Sequence, residues 1–366
     1  MVAPWSNSSS KKRNTPMTRL VLALSILASL IGTAEAQSSV TMYGVADAFA
    51  YRKQLAGETA THRIDHAGTT TSWVGFRGSE DLGDGLRAVF DLTTYVNVDT
   101  GVGSRNPATD NFWSRSAWVG LESNYGTVRF GRQTTLAFLN LIRYSSFFAS
   151  STFGPSLLHN YLPPAVGPMM TGSGSAGLGD SGWSNTGSST SPNLGGAVGV
   201  VMVAPGEGTA AGRRLGASLN YATGPFDAGL TIEHIDKMNL NFSKPPATLL
   251  MTTSRIENMG VSYDFNVVKV FGQYIRTKLN NDTADIRLAT SQLSATVPIG
   301  VAQILVAYAQ TKKTQTALAD QKRSTASLGY DYYLSKRTDL YAIVMNDKVT
   351  GLSSGTGAGF GIRHRF

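Results

Sequence analysis

The sequence contains no cysteine, and only 15% of its 366 residues are charged. Without disulfides, its stability must come from packing and backbone hydrogen bonds. Its charges are dispersed, with no run of five of one sign, which argues against nucleic-acid binding. Beyond the first 36 residues no apolar run approaches the roughly 20 residues that a membrane-spanning helix needs. These absences exclude a helical membrane protein.

Residues 1–36 have the pattern of an export signal. Four basic residues precede an apolar stretch at 20–31, and the small-x-small sequence 34–36 follows it. We predict cleavage after Ala36. Met17 is a candidate for the true start, because residues 1–16 make the basic segment unusually long. Removal of the signal reduces the formal net charge from +8 to +5.

From Ser38 onward, apolar and polar residues alternate with the period of a β-strand. One face of each segment is apolar and the other polar, so each separates two unlike environments. The alternation is seen at 86–97, 215–221, 227–235, 258–265, 287–297, 324–333 and 358–366. A soluble β-sandwich is the alternative, but a sandwich of this size would not sort its turns by length.

Short turns and longer polar loops alternate between these segments. Short turns are predicted at 80–84, 124–126, 192–195, 223–226, 265–266, 298–300 and 335–338. Long loops are predicted at 53–69, 98–111, 134–184, 205–212, 238–253, 279–285, 313–322 and 347–356. Seven short and eight long connections give sixteen strands. We therefore predict an all-β fold, a 16-stranded antiparallel transmembrane β-barrel, as one domain at 37–366 with both mature termini periplasmic.

The last nine residues form the final predicted strand. Phe360, Ile362 and Phe366 fall on its apolar face, and Arg363 and Arg365 on its polar face. A terminal aromatic residue suits the membrane interface. The two arginines are predicted to face water near the periplasmic mouth, away from any constriction.

The first predicted strand has one face of mostly small apolar residues. Val40, Met42, Gly44, Ala46, Ala48 and Ala50 share this face. Small side chains let another backbone approach closely, so we expect a subunit contact here. Plain lipid exposure is the alternative.

Six ordered motifs resemble the general trimeric porins of the β-proteobacterial outer membrane. They lie at 38–47, 78–86, 117–121, 126–133, 333–341 and 361–366. The resemblance implies a homotrimeric channel whose third extracellular loop, here 134–184, folds inward as the constriction. It also implies outer-membrane lipid, lipopolysaccharide and identical subunits as partners, and a barrel-assembly machinery that reads Phe366 as its signal.

The candidate pore-lining residues are mostly arginines, because charge on the wall of a narrow passage compensates ions for lost hydration. The candidates are Arg77, Arg87, Arg129, Arg132 and Arg143, with Asp47 and Asp91 as counter-charges and Trp73 beside them. Arg132 lies two residues after Phe130, so a regular strand places both on the outer, apolar face. A strand irregularity is therefore needed to turn Arg132 inward. An ion-pair ladder of purely structural importance is the alternative.

The predicted constriction departs from the family pattern. Residues 134–179 contain no acidic residue, whereas related porins usually carry acids there, and Trp73 stands where an arginine or lysine is common. We expect passive diffusion of small hydrophilic solutes and ions, with a weak anion preference. A solute-specific channel with an aromatic-lined constriction is the alternative.

Three short patterns suggest other chemistry. Residues 172–177 match a dinucleotide-binding motif and 351–355 a nucleophile elbow, but neither has the strand and helix that the motif requires. His62, His66 and Asp65 contain metal-ligand atoms, although a hydrated loop explains them better. We therefore predict no enzyme activity, no cofactor and no metal.

Overall fold

A computed structural model of the protein describes residues 39–104, 110–161, 180–206, 212–241, 248–283, 285–316 and 318–366. The predicted signal at 1–36 and residues 162–179 of the longest loop lie outside these ranges. Within them, no helix has the length and apolar character needed to cross a membrane.

The described residues form eighteen strands and two helices. The first nine strands are β1 (Ser39–Lys53), β2 (Thr61–His66), β3 (Trp73–Gly83), β4 (Leu86–Asn97), β5 (Val102–Gly103), β6 (Ser116–Ser123), β7 (Gly126–Thr134), β8 (Gly182–Thr190) and β9 (Ala197–Ala204). The others are β10 (Arg214–Thr223), β11 (Phe226–Asn241), β12 (Thr248–Asp264), β13 (Lys269–Asn280), β14 (Asp285–Ile299), β15 (Ala302–Gln315), β16 (Leu318–Tyr333), β17 (Thr338–Val349) and β18 (Gly355–Arg365). Helices α1 (Leu136–Arg143) and α2 (Pro155–Asn160) lie between β7 and β8.

These strands close into the predicted 16-stranded antiparallel barrel. β2 and β3 share one position, because both pair with β1, and β5 is a two-residue addition to β4. The barrel closes where Val45–Lys53 of β1 pairs with Gly357–Arg365 of β18. Gly44 and Phe366 complete this seam with two reciprocal backbone hydrogen bonds of 3.1 Å. Among the described residues, this pairing joins the first and last strands of the sheet, so neither is left as an open edge.

The two faces of the barrel wall differ as the alternation predicts. On β17, Leu340 and Val344 are exposed, whereas Asp339 and Asp347 of the same strand are buried. On β18, Phe360 is 68% exposed and Arg363 only 2%. Apolar side chains therefore face outward and polar ones face the interior, which is the arrangement of a barrel in lipid.

Exposed aromatic residues gather next to the short turns. They include Tyr221, Tyr263, Phe265, Tyr330, Tyr332 and Phe366. Amphipathic rings at one height on the outer face form the girdle expected at a membrane interface.

Two predicted long loops are mostly strand. The predicted loop 238–253 is largely the paired ends of β11 and β12, and the predicted loop 313–322 is largely those of β15 and β16. The ends of β15 and β16 are mostly polar, so apolar alternation fades there although the backbone ladder continues. In β11 the pairing omits Lys237, whose φ is 61°, and this interrupts the alternation although Met251 of β12 is buried. The prediction was wrong here because periodicity reports burial against lipid and not strand pairing itself.

A buried carboxylate stabilises the break between β2 and β3. Asp47 accepts hydrogen bonds from the backbone N–H groups of Gly68, Thr69 and Thr70 at 3.1, 2.9 and 2.9 Å. The Thr69 hydroxyl donates at 2.6 Å, and the Tyr341 hydroxyl donates from across the seam. Asp47 has no exposed surface, so its charge is compensated by this set of donors.

We predict that Asp47→Ala destabilises the barrel. The substitution leaves several buried donors unsatisfied, which costs about 3 kcal/mol or more. Heat-dependent mobility on SDS gels should show a lower unfolding temperature. Asp320→Ala is the control, because the Asp320 carboxylate lies in an exposed ion pair with Lys312. Equal unfolding temperatures for the two variants would contradict the anchoring role of Asp47.

Candidate pore constriction

A cavity of about 330 Å³ lies between the barrel wall and the segment that follows β7. We call it the Trp73 cavity. Wall residues Thr70, Thr71, Trp73, Tyr95, Arg115, Arg363 and Arg365 line one side, and Phe138, Ile142, Phe148 and Ala149 line the other. Charged groups therefore meet an apolar surface across this space.

The first part of the segment, helix α1, is bound to the polar face of β11 and β12. Thr135 caps the helix, its hydroxyl accepting from the Phe138 N–H at 3.3 Å. The buried Glu233 carboxyl accepts from the Ala137 N–H at 2.9 Å, at the helix N-terminus, where an acidic group is favoured. Asn140 and Asn258 each donate a side-chain hydrogen bond to the partner segment, at 3.0 and 3.1 Å.

Apolar contacts reinforce this attachment. Leu136 and Leu141 of α1 pack in a buried cluster with Trp183, Ile235 and Ile256. An eight-residue helix is too short to be stable alone, so these contacts hold it in place.

The second part of the segment, through α2, is bound to β14–β18 and to β1. The Ser146 hydroxyl donates to the Val306 carbonyl at 2.9 Å, and the Ser327 hydroxyl donates to the Phe153 carbonyl at 2.7 Å. Phe147, Phe153 and Leu158 pack in a cluster with Phe49, Tyr51, Tyr341, Ile343 and Met345. The two parts of the segment thus contact largely different stretches of the wall, although Leu157 of α2 also packs in the cluster of α1.

His159 of α2 is fully engaged by neutral partners. Its Nδ1 lies 2.8 Å from the Thr311 hydroxyl and its Nε2 lies 2.7 Å from the Thr325 hydroxyl. Burial, and then the positive charge of Arg323, lower the pKa of His159 well below its usual value. The imidazole is therefore neutral at pH 7 and acts as a structural link.

Among the described residues, three arginines lie within 4.5 Å of the centroid of an aromatic ring. The guanidinium of Arg77 is 4.5 Å from the Tyr43 ring centroid, that of Arg115 is 4.3 Å from Trp73, and that of Arg129 is 4.4 Å from Trp118. Such stacking holds a guanidinium in place without neutralising its charge.

The strand register places Arg77 and Arg129 on the interior face. Arg77 lies opposite Thr41 and Asp91, whereas the adjacent Phe76 is exposed on the outer face. Arg129 lies opposite Gly120, with both of its neighbours on β7 exposed. Arg87 pairs with Glu122 across β4 and β6. A contribution of these arginines to the conducting path stays a prediction.

Arg132 lies at a strand irregularity. The pairing of β7 with β8 shifts register between Gly131 and Gln133, and Gly131 has a φ of 132°. Arg132 is buried, donates to the carbonyl of Ser114 at 2.8 Å and pairs with Asp180 at 2.9 Å. One of its contacts is thus to the chain that leads into β8.

The remaining predicted residues also have protein partners. Arg143 pairs with Asp227 at 2.7 Å, and the Tyr144 hydroxyl donates to the same carboxylate at 2.7 Å. Asp91 accepts from the Tyr43 hydroxyl and, at 3.0 Å, from the Ser116 hydroxyl. Among the described residues, neither Asp47 nor Asp91 forms an ion pair with the five predicted arginines.

Three residues of the Trp73 cavity were missed by sequence reasoning. Arg363 and Arg365, which were expected near the periplasmic mouth and away from any constriction, both line this cavity, and their distance from the constriction stays a prediction. Val45 pairs with Trp73 on one side and with Arg365 on the other, so the seam places them at one height. Arg115 follows a predicted loop and carries no alternation signal.

The charges of these three arginines are unequally balanced. Arg363 pairs with both Asp331 and Asp339, and Arg365 shares Asp339 at 2.9 Å. Arg115 donates to the Thr93 hydroxyl at 3.4 Å and has no carboxylate partner among the residues that the structure describes. The Trp73 cavity therefore retains positive charge.

Two of the three residues considered for a metal lie together. His66 Nδ1 lies 3.1 Å from an oxygen of Asp65 and 2.9 Å from one of Asp99. The third residue of this group of possible metal ligands is Asp99, whereas the sequence pattern had suggested His62. Hydrogen bonding alone accounts for these distances.

Comparisons with known proteins agree with this architecture. The model of the Gram-negative porin family matches residues 23–352. Outer membrane porin protein 32 of Delftia acidovorans is 33% identical over 96% of this chain and all of its own length. An outer membrane porin protein of Bordetella pertussis is 28% identical over 96% of this chain and all of its own. The solved structure of an anion-selective porin from Comamonas acidovorans has a TM-score of 0.74 and 29% identity, covering 90% of this chain and all of that one.

A closed barrel with an apolar outer face and a polar interior is an outer-membrane channel. The chain belongs to the Gram-negative porin family. It is located in the outer membrane and forms a passive channel.

We predict that Asp227→Ala loosens the segment after β7. The change removes the partner of both Arg143 and Tyr144, so partial closures should increase in single-channel recordings. Asp264→Ala is the control, because it removes the same charge from an exposed turn, where the Asp264 carboxylate accepts from the N–H of Asn266. Identical current noise in the two variants would show that Asp227 does not tether the segment.

Proposed function

We propose that residues 134–184 enter the lumen and form the constriction of an anion-preferring general diffusion channel. The contacts of Leu136–Tyr161 with interior-facing residues of β10–β18 support this proposal. A loop of this length, in which the described part has only two short helices, needs such support, since long free loops are uncommon.

The anion preference follows from the stacked arginines. Arg77, Arg115 and Arg129 keep their charge, and the described part of the facing segment contributes no acid before Asp180. Positive walls in a narrow passage raise the local anion concentration and lower the barrier to anion entry. The anion-selective porin from Comamonas acidovorans, which this chain resembles, is consistent with this preference.

We predict that the triple variant Arg77→Gln, Arg115→Gln and Arg129→Gln loses most of its anion preference. Reversal potentials in a salt gradient should move toward the value for a non-selective pore, because three fixed charges are removed. Arg287→Gln is the matched control, since Arg287 is exposed at the start of β14 beside Asp285. A wild-type channel with strong cation preference would refute the proposed selectivity.

The functional unit is proposed to be a homotrimer in contact with outer-membrane lipid and lipopolysaccharide. A groove of about 950 Å³ on the outer face supports a subunit contact. Ala50, Ala342, Val344, Ala358 and Phe360 line part of it. It continues the small-residue face of β1, so an identical subunit suits it better than a flat lipid surface does.

We predict that Ala48→Trp dissociates the trimer into folded monomers, because a bulky ring blocks close approach at β1. Native gels and mass measurement in detergent would report the oligomeric state. Ala295→Trp is the control, on β14 and far along the sheet from β1. A trimer that survives Ala48→Trp and fails with Ala295→Trp would place the contact elsewhere.

Two further features complete the proposal. Phe366, which is exposed at the barrel seam, serves as the assembly signal, with both mature termini on the periplasmic side. The protein acts as a channel and not as an enzyme, so purified protein should show no turnover of lipids or peptides.

A further inference from the structure

The Trp73 cavity has the size and composition of a small-molecule site. Its volume of about 330 Å³ is near the lower end of the ~300–1,000 Å³ typical of ligand pockets. A space of this size suits one ring with a short substituent better than it suits a disaccharide.

The segment side of the cavity offers an apolar surface. Phe138, Ile142 and Phe148 line it, and Phe148 is 43% exposed although the adjacent Phe147 is buried. Phe148 also has a φ of 44°, a left-handed conformation that is unfavourable for a residue other than glycine. The backbone is therefore held so that an aromatic ring faces the cavity and not the core.

The wall side offers cationic groups. Arg115 is stacked on Trp73 without a carboxylate partner among the described residues, and Arg365 is 38% exposed while sharing Asp339 with Arg363. A guanidinium fork binds a carboxylate with two parallel hydrogen bonds. Arg115 and Arg365 can therefore receive an anion that has a ring directed toward Phe148.

We infer that the Trp73 cavity binds single-ring aromatic carboxylates during their passage through the channel. Within the described residues, the cavity combines Arg115, which lacks a carboxylate partner, with an exposed Phe148. Only a ligand with both a ring and a negative charge uses both. A small inorganic anion uses the arginines alone, and a neutral aromatic compound uses the rings alone. This inference rests on the proposed channel, since the cavity must be open to the conducting path.

The test is block of chloride current through the reconstituted full-length protein in planar bilayers. Sodium benzoate should reduce the current saturably, whereas acetate and benzyl alcohol at equal concentration should have little effect. Phe148→Ala and Arg115→Gln should each raise the half-blocking concentration of benzoate by about fivefold or more.

Matched controls separate binding from misfolding. Phe130→Ala removes an outward-facing ring and Arg287→Gln an exposed arginine, so block should be unchanged in both. Heat-dependent gel mobility confirms that each variant is folded. Equal block by acetate and benzoate, or unchanged benzoate block in Phe148→Ala, would overturn the inference. Chloride conductance and reversal potential without benzoate test the proposed function separately, so an anion-selective channel without block refutes the site alone.

Discussion

The need to satisfy every backbone hydrogen bond in hydrocarbon governs the rest of this structure. An open sheet edge in lipid would expose a row of unpaired N–H and C=O groups, each costing several kcal/mol. The pairing of β1 with β18, completed by Gly44 and Phe366, removes the last edge. The seam also carries Asp47, which binds the turn between β2 and β3 and the Tyr341 hydroxyl. Closure and the local shape of the wall thus depend on the same few residues.

Closure creates an interior in which polar groups need partners. The segment after β7 supplies many of them, since Glu233, Asn258 and Ser327 each bond to it. The apolar residues of the same segment are buried away from water in two clusters. Polar wall residues and the apolar residues of this segment therefore stabilise each other, which explains how a segment poor in acidic residues can still be firmly attached.

The arginines on the inner side of the barrel have two kinds of partner, carboxylates and aromatic rings. Deeply buried arginines are neutralised, as Arg323 is by Asp347 and Arg363 by Asp331 and Asp339. Arg77, Arg115 and Arg129 are instead held on aromatic rings, which orient a guanidinium and leave its field intact. The first arrangement neutralises buried charge in the wall, and the second leaves fixed positive charge, on which the proposed anion preference depends.

The sequence alone determined the number of strands, their faces and the sorting of the turns, because alternation is local and reports the two environments on either side of the wall. It also indicated that Arg132 needs an irregularity, which the shift after Gly131 provides. The sequence did not indicate the full lengths of β11 and β12, because the apolar alternation is interrupted at Lys237, whose φ is 61° and which the strand pairing omits. Only the tertiary structure decided that Arg115 and Arg365 meet Trp73 and Phe148. Their proximity depends on the strand register at closure and on the packing of a loop that is distant in the sequence. Local hydrophobic periodicity reports neither of these long-range properties.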